Sequence, residues 1–455
     1  MKTKSQTTFQ NPEVDFLIHA KWILPVLETD CPQYTTIYEQ HSLAIKDNKI
    51  HAIVPTEEAK KYFTAKETLN LSTHLLMPGF INTHTHSAMV LFRGIADDLS
   101  LMDWLQHHIW PKEQQWVNAQ FVEEGTEIAI AEMLLSGTTC FADMYFFPNE
   151  AARISKKSHI RSHFYCPIME FPTNWAQTPD DYLAKAIDLT KMYINDPLIE
   201  IGLGPHAPYT VSDETFKKIL QAREKHNLKV QIHLHETKTE VEDSLKNFGV
   251  RPIERLNQLG FIFPGLQAVH MTQLNDEEIN LINERHVSII HCPQSNLKLA
   301  SGFCRTHDLA MNNVTIALGT DSASSNNDLD LLSEMQTAAL IAKAVSLNPQ
   351  AMPAIEAIKI ATLNGAKALQ LNDKIGSLEV GKEADLIAID FNDISLMPCY
   401  NPPSKLVYSA IRHHVTHVWV QGKKLVHERM LTKLTGLDDM NELKNKAEKW
   451  QAKLR

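Results

Sequence analysis

The chain has 455 residues, 44% hydrophobic and 22% charged, a length that allows one large domain and a smaller companion. Acidic residues outnumber basic ones by 54 to 44, a formal charge of −10, which argues against nucleic acid or an anionic membrane as partner because both demand a basic face. Six cysteines, Cys31, Cys140, Cys166, Cys292, Cys304 and Cys399, include no C-x-x-C pair, so free thiols in a reducing cytoplasm are expected and a zinc ribbon is not.

The leading segment MKTKSQTTFQNPEVDF has two lysines with no apolar run behind them, so no secretory signal is expected. No stretch reaches the roughly 18 uninterrupted apolar residues of a membrane span. Residues 1–66 read as short strands, DFLIHAKWILPV and HSLAIKDNKIHAIVP, with DNK as a turn. From Leu75 to about Asp321 the pattern becomes alternation of short apolar strands with longer helical segments, and residues 67–375 are expected to form the barrel domain. Eight strands are predicted: LLMPGFINTHTH, TTCFADMY, RSHFYCPIM, IEIGLGPHAP, KVQIHLHE, LQAVHMTQ, VSIIHCPQS and TIALGTDS. Helix-like stretches such as DETFKKILQAREKHN separate them. Eight such units over roughly 250 residues predict a (β/α)8 barrel; a doubly wound sheet is the alternative, and no G-x-G-x-x-G follows the first strand. Strand character returns in GSLEVGKEADLIAID and THVWVQGKKLV. Residues 1–66 and 376–455 are therefore expected to build one small β-sandwich domain together. The last stretch, LDDMNELKNKAEKWQAKLR, predicts a solvated terminal helix.

Histidine occurs 22 times, so position has to discriminate. In a barrel the C-terminal ends of the strands face the active site. His84 and His86 end the first strand, His206 the fourth, His233 the fifth, His270 the sixth and Asp321 the eighth. The i, i+2 spacing of His84 and His86 lets both imidazoles face one ion. Neutral imidazoles with a carboxylate suit Zn²⁺ or another first-row metal, which makes His84, His86, His233 and Asp321 the candidate ligands. Glu236 follows His233 where its strand ends, placed for general acid and base work beside a metal site; a helix cap is the structural alternative. His235 shares the alternation of His233 and reads as a supporting or structural residue. A lysine that could bridge two metals is missing from the end of strand four, and the H-x-E with P-C-x-x-C of the cytidine-deaminase type is absent. One metal is the expected content.

PGFINTHTH, GPHAPY, HLHET, VHM, HCPQSNLKLASG, LGTDS and GSLEVGKEADL together resemble the amidohydrolase superfamily. With FRGIADDLSLMDWL, MEFPTNWA and SNNDLDLLSEM, the resemblance narrows to the 5′-methylthioadenosine/S-adenosylhomocysteine deaminases, from about Asp15 to about Leu425. It implies one Zn²⁺ on His84, His86, His233 and Asp321, and hydrolytic loss of the adenine amino group. Glu236 would then protonate the purine ring, His270 would assist at the attacked carbon, and Asp321 would take the proton of water. Glu113 would grip the ribose hydroxyls, Trp104 would lie near the base or sugar, and His206 would contact the nucleoside, as would Glu236 and Asp321. The family habit also implies a dimer or larger homo-oligomer.

One departure bears on the substrate. Some members carry an arginine in the strand-three region that reaches a substrate carboxylate. Here Cys166 stands at the expected position and Arg161 lies at the strand's start, the wrong end for the site. That favours 5′-methylthioadenosine over S-adenosylhomocysteine. The rival enzymes on the same site are guanine, pterin and triazine hydrolases, which have no ribose for Glu113 to hold. A non-catalytic scaffold would be expected to lose ligands, and all four are present.

Overall fold

The computed structural model describes residues 12–455; residues 1–11 of the segment read for a secretory signal lie outside the described residues. Strands β1 (Glu13–Ile23), β2 (Tyr38–Lys46), β3 (Lys49–Pro55) and β4 (Thr64–Pro78) precede eight shorter ones. These are β5 (Phe80–Thr85), β6 (Thr138–Asp143), β7 (Arg161–Ile168), β8 (Ile199–Pro205), β9 (Gln231–Leu234), β10 (Gln267–His270), β11 (Ser288–His291) and β12 (Ile316–Leu318). Strands β13 (Leu386–Asp390), β14 (Val415–Val420), β15 (Lys423–His427) and β16 (Met430–Leu431) end the series.

Strands β5 to β8 and β9 to β12 form two parallel four-stranded sheets. Single parallel bridges, Leu203 to Val230 and Thr85 to Asp321, join them at both seams. The strands run in chain order around the ring, and helices intervene, the (β/α)8 arrangement expected from the alternation. Along β7 the side chains of Phe164, Cys166 and Ile168 join the large core shared with the outer helices, whereas Tyr165 packs inside with Ile81, Cys140 and Ala142. The helix Leu363–Ala368 and the turn after it plug the N-terminal end through Ala366, Leu369 and Leu371.

The first expected barrel strand is two strands. Residues up to Pro78 pair with β1 and β13, and only Phe80–Thr85 enters the ring. Gly79 makes the break, because a Cβ there would fall on the Thr139 side chain; no other residue permits that approach.

Both chain ends build the second sheet, ordered β16-β15-β14-β13-β4-β1-β2-β3. Every pairing is antiparallel except β1 with β4. A bridge from Lys49 to Glu383 brings the β2–β3 turn onto the segment before β13, so the sheet curls over a core of Ile18, Leu43, Leu76, Leu386 and Trp419. The barrel meets it through Arg161, whose buried guanidinium donates to Asp385 (3.1 Å) and Glu383 (2.5 Å). The terminal helix Met440–Leu454 is not free in solvent as its charge suggested. Leu443, Trp450 and Leu454 bury one face, Trp450 packs edge-on to Phe121 at 5.1 Å, and its Nε1 donates to Glu124 (2.6 Å). The spacing of three apolar residues on one face outweighs the many charges. Among the described residues no helix is long and apolar enough to cross a membrane.

Candidate functional site

In the segment INTHTH the side chains of Asn82 and Thr83 hold the β5–β12 seam. Asn82 donates to Thr320 Oγ1 (2.8 Å) and accepts from its amide (3.1 Å). Thr83 donates to the Leu318 carbonyl (2.6 Å), and the Asp321 amide donates to the His84 carbonyl (3.0 Å). Gly319 permits this closeness: a Cβ would lie 2.8 Å from the His84 Cβ and 2.9 Å from its amide nitrogen.

The same stitching brings four donor groups together. Single ligand atoms of His84, His86, His233 and Asp321 all lie within 4.8 Å of one another. Each histidine commits Nδ1 elsewhere: His84 to Gln231 Oε1 (2.7 Å), His86 to the Met144 carbonyl (2.5 Å) and His233 to the His206 carbonyl (2.7 Å). Those acceptors fix the Nδ1–H tautomer and leave every Nε2 as a bare lone pair. Burial depresses the pKa of His84 and His233, which favours the neutral form a ligand needs. The Nε2 atoms of His84 and His233 then lie 3.1 Å apart with no proton to share. Asp321 Oδ1 stands 3.2 Å from His86 Nε2 and 3.5 Å from His84 Nε2, while its Oδ2 accepts from Ser295 (2.6 Å) and Ser325 (3.0 Å). Converging lone pairs plus one carboxylate fit a tetrahedral cation such as Zn²⁺.

Two further groups sit against this cluster. His270 ends β10 with φ +74°, and Asp321 has φ +60°; non-glycine residues in this region are strained, and such strain concentrates at functional sites. His270 Nδ1 is held by Asn296 Oδ1 at 2.8 Å, which turns Nε2 towards Glu236 Oε2, 3.6 Å away. Glu236 is 5% exposed. Burial, reinforced by the negative charge of Asp321, pushes its pKa up to about 8 in the metal-free site, which suits it to proton donation.

Above the cluster lies a cavity of about 300 Å³ lined by His86, His206, His233, Glu236, His270 and Asp321, with Trp104 and Glu113 on its far wall. His84 lies beneath, fully buried. All the candidate site residues thus converge on one place. The far wall is a helical stretch from Leu101 to Trp116 with a π-helical turn at Trp104–Ile109. Leu101, Leu105, Ile109, Glu113 and Val117, each four residues apart, all line the cavity. A regular α-helix would rotate each successive one by about 40°; the wide turn absorbs the drift. Glu113 is pushed up to about 7 by burial, against the pull of the Tyr145 hydroxyl. His206, held by Thr210 at 3.0 Å, has its pKa lowered to about 3, chiefly by burial.

His235 is structural, one of the two readings open to it, although not on the face of His233, and the placement of Cys166 is corrected. His235 leaves the alternation of His233 because β9 ends at Leu234 and His235 adopts φ +53°. Its Nε2 accepts from the Ile253 amide (3.1 Å), away from the cavity, so it is structural. Cys166 faces the helix layer, not the cavity, whereas Pro167, Met169, Phe171 and Pro172 form that wall; an even position on β7 points outward by the alternation of a strand. Several residues went unnoticed in the sequence. Gln231 and Ser295 hold the ligands His84 and Asp321, Asn296 holds His270, and Asp143 accepts from the Ser87 amide (2.5 Å) and Thr85 (3.0 Å) beside His86. The alternation of Gln231 with His233 was the one signal available; nothing local marks Asp143.

An amidohydrolase family model matches residues 75–425. A protein named 5-methylthioadenosine/S-adenosylhomocysteine deaminase from Saccharophagus degradans is 49% identical over 97% of this chain and 97% of its own. One of the same name from Teredinibacter turnerae is 48% identical, over 97% and 98%. The crystal structure of an adenosine deaminase from Xanthomonas campestris with bound zinc is 43% identical, with a TM-score of 0.95, covering 98% of this chain and 100% of that one. With its barrel, its four convergent ligands and these relatives, the chain is a metal-dependent hydrolase and belongs to the amidohydrolase family.

Proposed function

We propose that this chain hydrolytically deaminates an adenine nucleoside in the cytoplasm, with 5′-methylthioadenosine the preferred substrate and one Zn²⁺ per chain. The observation that carries the reading is the pairing, in one cavity, of the four-ligand site and the protonated Glu236 with a second carboxyl, Glu113, on the opposite wall. The names of the relatives agree with it.

His84, His86, His233 and Asp321 hold the metal. Zinc bound there supplies Lewis acidity, lowering the pKa of a water towards ~7. Glu236 in its protonated form donates its proton to N1 of the adenine and so makes C6 electrophilic. His270, with Nδ1–H committed to Asn296, accepts a hydrogen bond from the attacking water at Nε2. Asp321 takes the proton of that water. Water oxygen bonds to C6, the proton held by Asp321 passes to the amino group, the C6–N bond breaks with ammonia leaving, and the remaining hydroxyl proton returns to Glu236, which gives an inosine-type product with N1 protonated. Glu113 accepts from the ribose hydroxyls, the apolar wall of Leu101, Leu105 and Ile109 excludes water, and His206 and Trp104 bound the nucleoside.

The substrate preference rests on charge. Among the described residues no lysine or arginine lines the cavity. A neighbouring cavity shares Leu101, Trp110, Phe171 and Tyr209 with it and is lined by Glu170, Asp213, Glu214, Glu240 and Asp243. Its one arginine, Arg255, is already paired with Asp213 at 2.6 Å. A 5′ substituent ending in a carboxylate finds no free cation there, whereas a methylthio group needs none. The test is a panel of 5′-methylthioadenosine, S-adenosylhomocysteine, adenosine and free adenine, following the ultraviolet change from adenine to hypoxanthine. The expected order places 5′-methylthioadenosine first and free adenine last. Equal rates on free adenine and the nucleosides would overturn the role of Glu113 and favour the free-base rivals.

A further inference from the structure

One polar group in the cavity has no role in the chemistry above. Tyr145 follows β6 by two residues, is 4% exposed, and lines the cavity. Its ring stands edge-on to His86 at 6.2 Å and against Phe146 at 5.2 Å. Its hydroxyl lies beside the Glu113 carboxyl and completes no hydrogen bond with any protein atom among the described residues. Buried hydroxyls are nearly always paired, and one left unpaired in a cavity wall marks a place for a ligand group. Among the described residues the Glu113 carboxyl has no other side-chain hydrogen-bond partner; its helix is anchored beside it by Asn174, which donates to the carbonyls of Gln114 (2.8 Å) and Val117 (2.9 Å).

The geometry points to Tyr145 as the positioning residue for Glu113, and through it as a determinant of specificity for the vicinal diol of ribose. This rests on the nucleoside reading of the site. In the bound state the phenolic O–H donates to one oxygen of the Glu113 carboxylate. That favours the ionised acceptor and turns its remaining lone pairs to the 2′ and 3′ hydroxyls, each of which donates one hydrogen bond. Tyr145 thus belongs to the binding of the sugar, and the deamination step does not use it.

The test compares wild type and Tyr145→Phe on 5′-methylthioadenosine and on its 2′,3′-dideoxy counterpart. Phenylalanine keeps the packing on His86 and Phe146 and removes only the hydroxyl. On the ribonucleoside, kcat/KM should fall by about 10- to 100-fold, the range for losing a hydrogen bond to a charged group, with the change in KM and little in kcat. On the dideoxy substrate the variant should match wild type. In a Glu113→Gln background the same substitution should add nothing, because the partner it positions is gone. Zinc content and the thermal midpoint monitor the fold. An equal loss on both substrates, a loss confined to kcat, or no loss on the ribonucleoside would overturn the role of Tyr145 while leaving the deaminase reading intact. A wild-type enzyme inactive on every adenine nucleoside would instead remove that reading, and this inference with it.

Discussion

Gln231 Oε1 lies 2.7 Å from His84 Nδ1, and the amide nitrogen of the same side chain is fully spent. It donates to the Thr83 carbonyl and to Gln267 Oε1, both at 2.9 Å. Gln267 in turn donates to the Tyr165 hydroxyl (2.6 Å) and the Ala368 carbonyl (3.0 Å). A chain of hydrogen bonds therefore runs from the plug at the floor of the barrel to a metal ligand, and it can be satisfied only with the oxygen of Gln231 facing His84. That orientation decides which nitrogen of His84 is free.

Gln231→Leu is accordingly expected to weaken metal binding by about 10- to 100-fold, the usual effect of losing a partner behind a ligating histidine. Competition with a chromogenic chelator measures it. Unaltered affinity in a folded variant would show that the tautomer is set some other way.

Gly319 admits nothing larger. Gly319→Ala places a methyl 2.8 Å from the Cβ of His84, and the neighbour is the root of a side chain and its backbone, which cannot swing aside. The ligand set should spread, and bound zinc should drop well below one per chain by atomic absorption. Full occupancy would mean that the β5–β12 seam yields more easily than its hydrogen bonds suggest.

Glu236 sets the pH behaviour. Its protonated form is the active one, so kcat should fall as pH rises through its pKa, about 8 in the metal-free site. A cation held nearby favours the carboxylate and moves this limb lower. Glu236→Gln should keep its zinc, lose about 10²- to 10⁴-fold in kcat, and lose the alkaline limb. Stability follows the same sign. A carboxyl whose pKa rises from 4.5 to about 8 on folding binds a proton more tightly in the folded state. Its contribution is full below about 4.5 and is lost as pH climbs to about 8. Thermal midpoints of zinc-free protein should decline across that window, and less in the glutamine variant.

Arg161 offers a test of the joint between barrel and outer sheet. Arg161→Ala leaves Asp385, 3% exposed, without its guanidinium, a loss of about 3–5 kcal/mol for a broken buried pair. Denaturant titration measures this. Activity below the transition should survive, because Arg161 is at the opposite end of β7 from the cavity. A variant as stable as wild type would mean that water replaces the guanidinium at the joint.

The sequence by itself determined the eight-strand alternation and the return of strand character at the C-terminal end, and it singled out His84, His86, His233 and Asp321 as candidate ligands with Glu236 and His270 beside them; Glu113 and Trp104 came from the family resemblance. Strand periodicity and motif spacing are local properties, and barrel geometry converts strand ends into one rim. Tertiary structure alone decided the rest. Glycine at position 79 could be read, but that it divides one apolar run between two sheets depends on Thr139, sixty residues away. Alternation assigned His235 to the face of His233, and a single positive φ at the strand end reversed it. Cys166 matched a motif position, yet strand parity turned it to the helices and left Met169 and Phe171 at the cavity. The hydroxyl of Tyr145 and the amide of Gln231 carry no local signature at all. Their meaning comes from what stands opposite, and that is fixed by packing between segments distant in the chain.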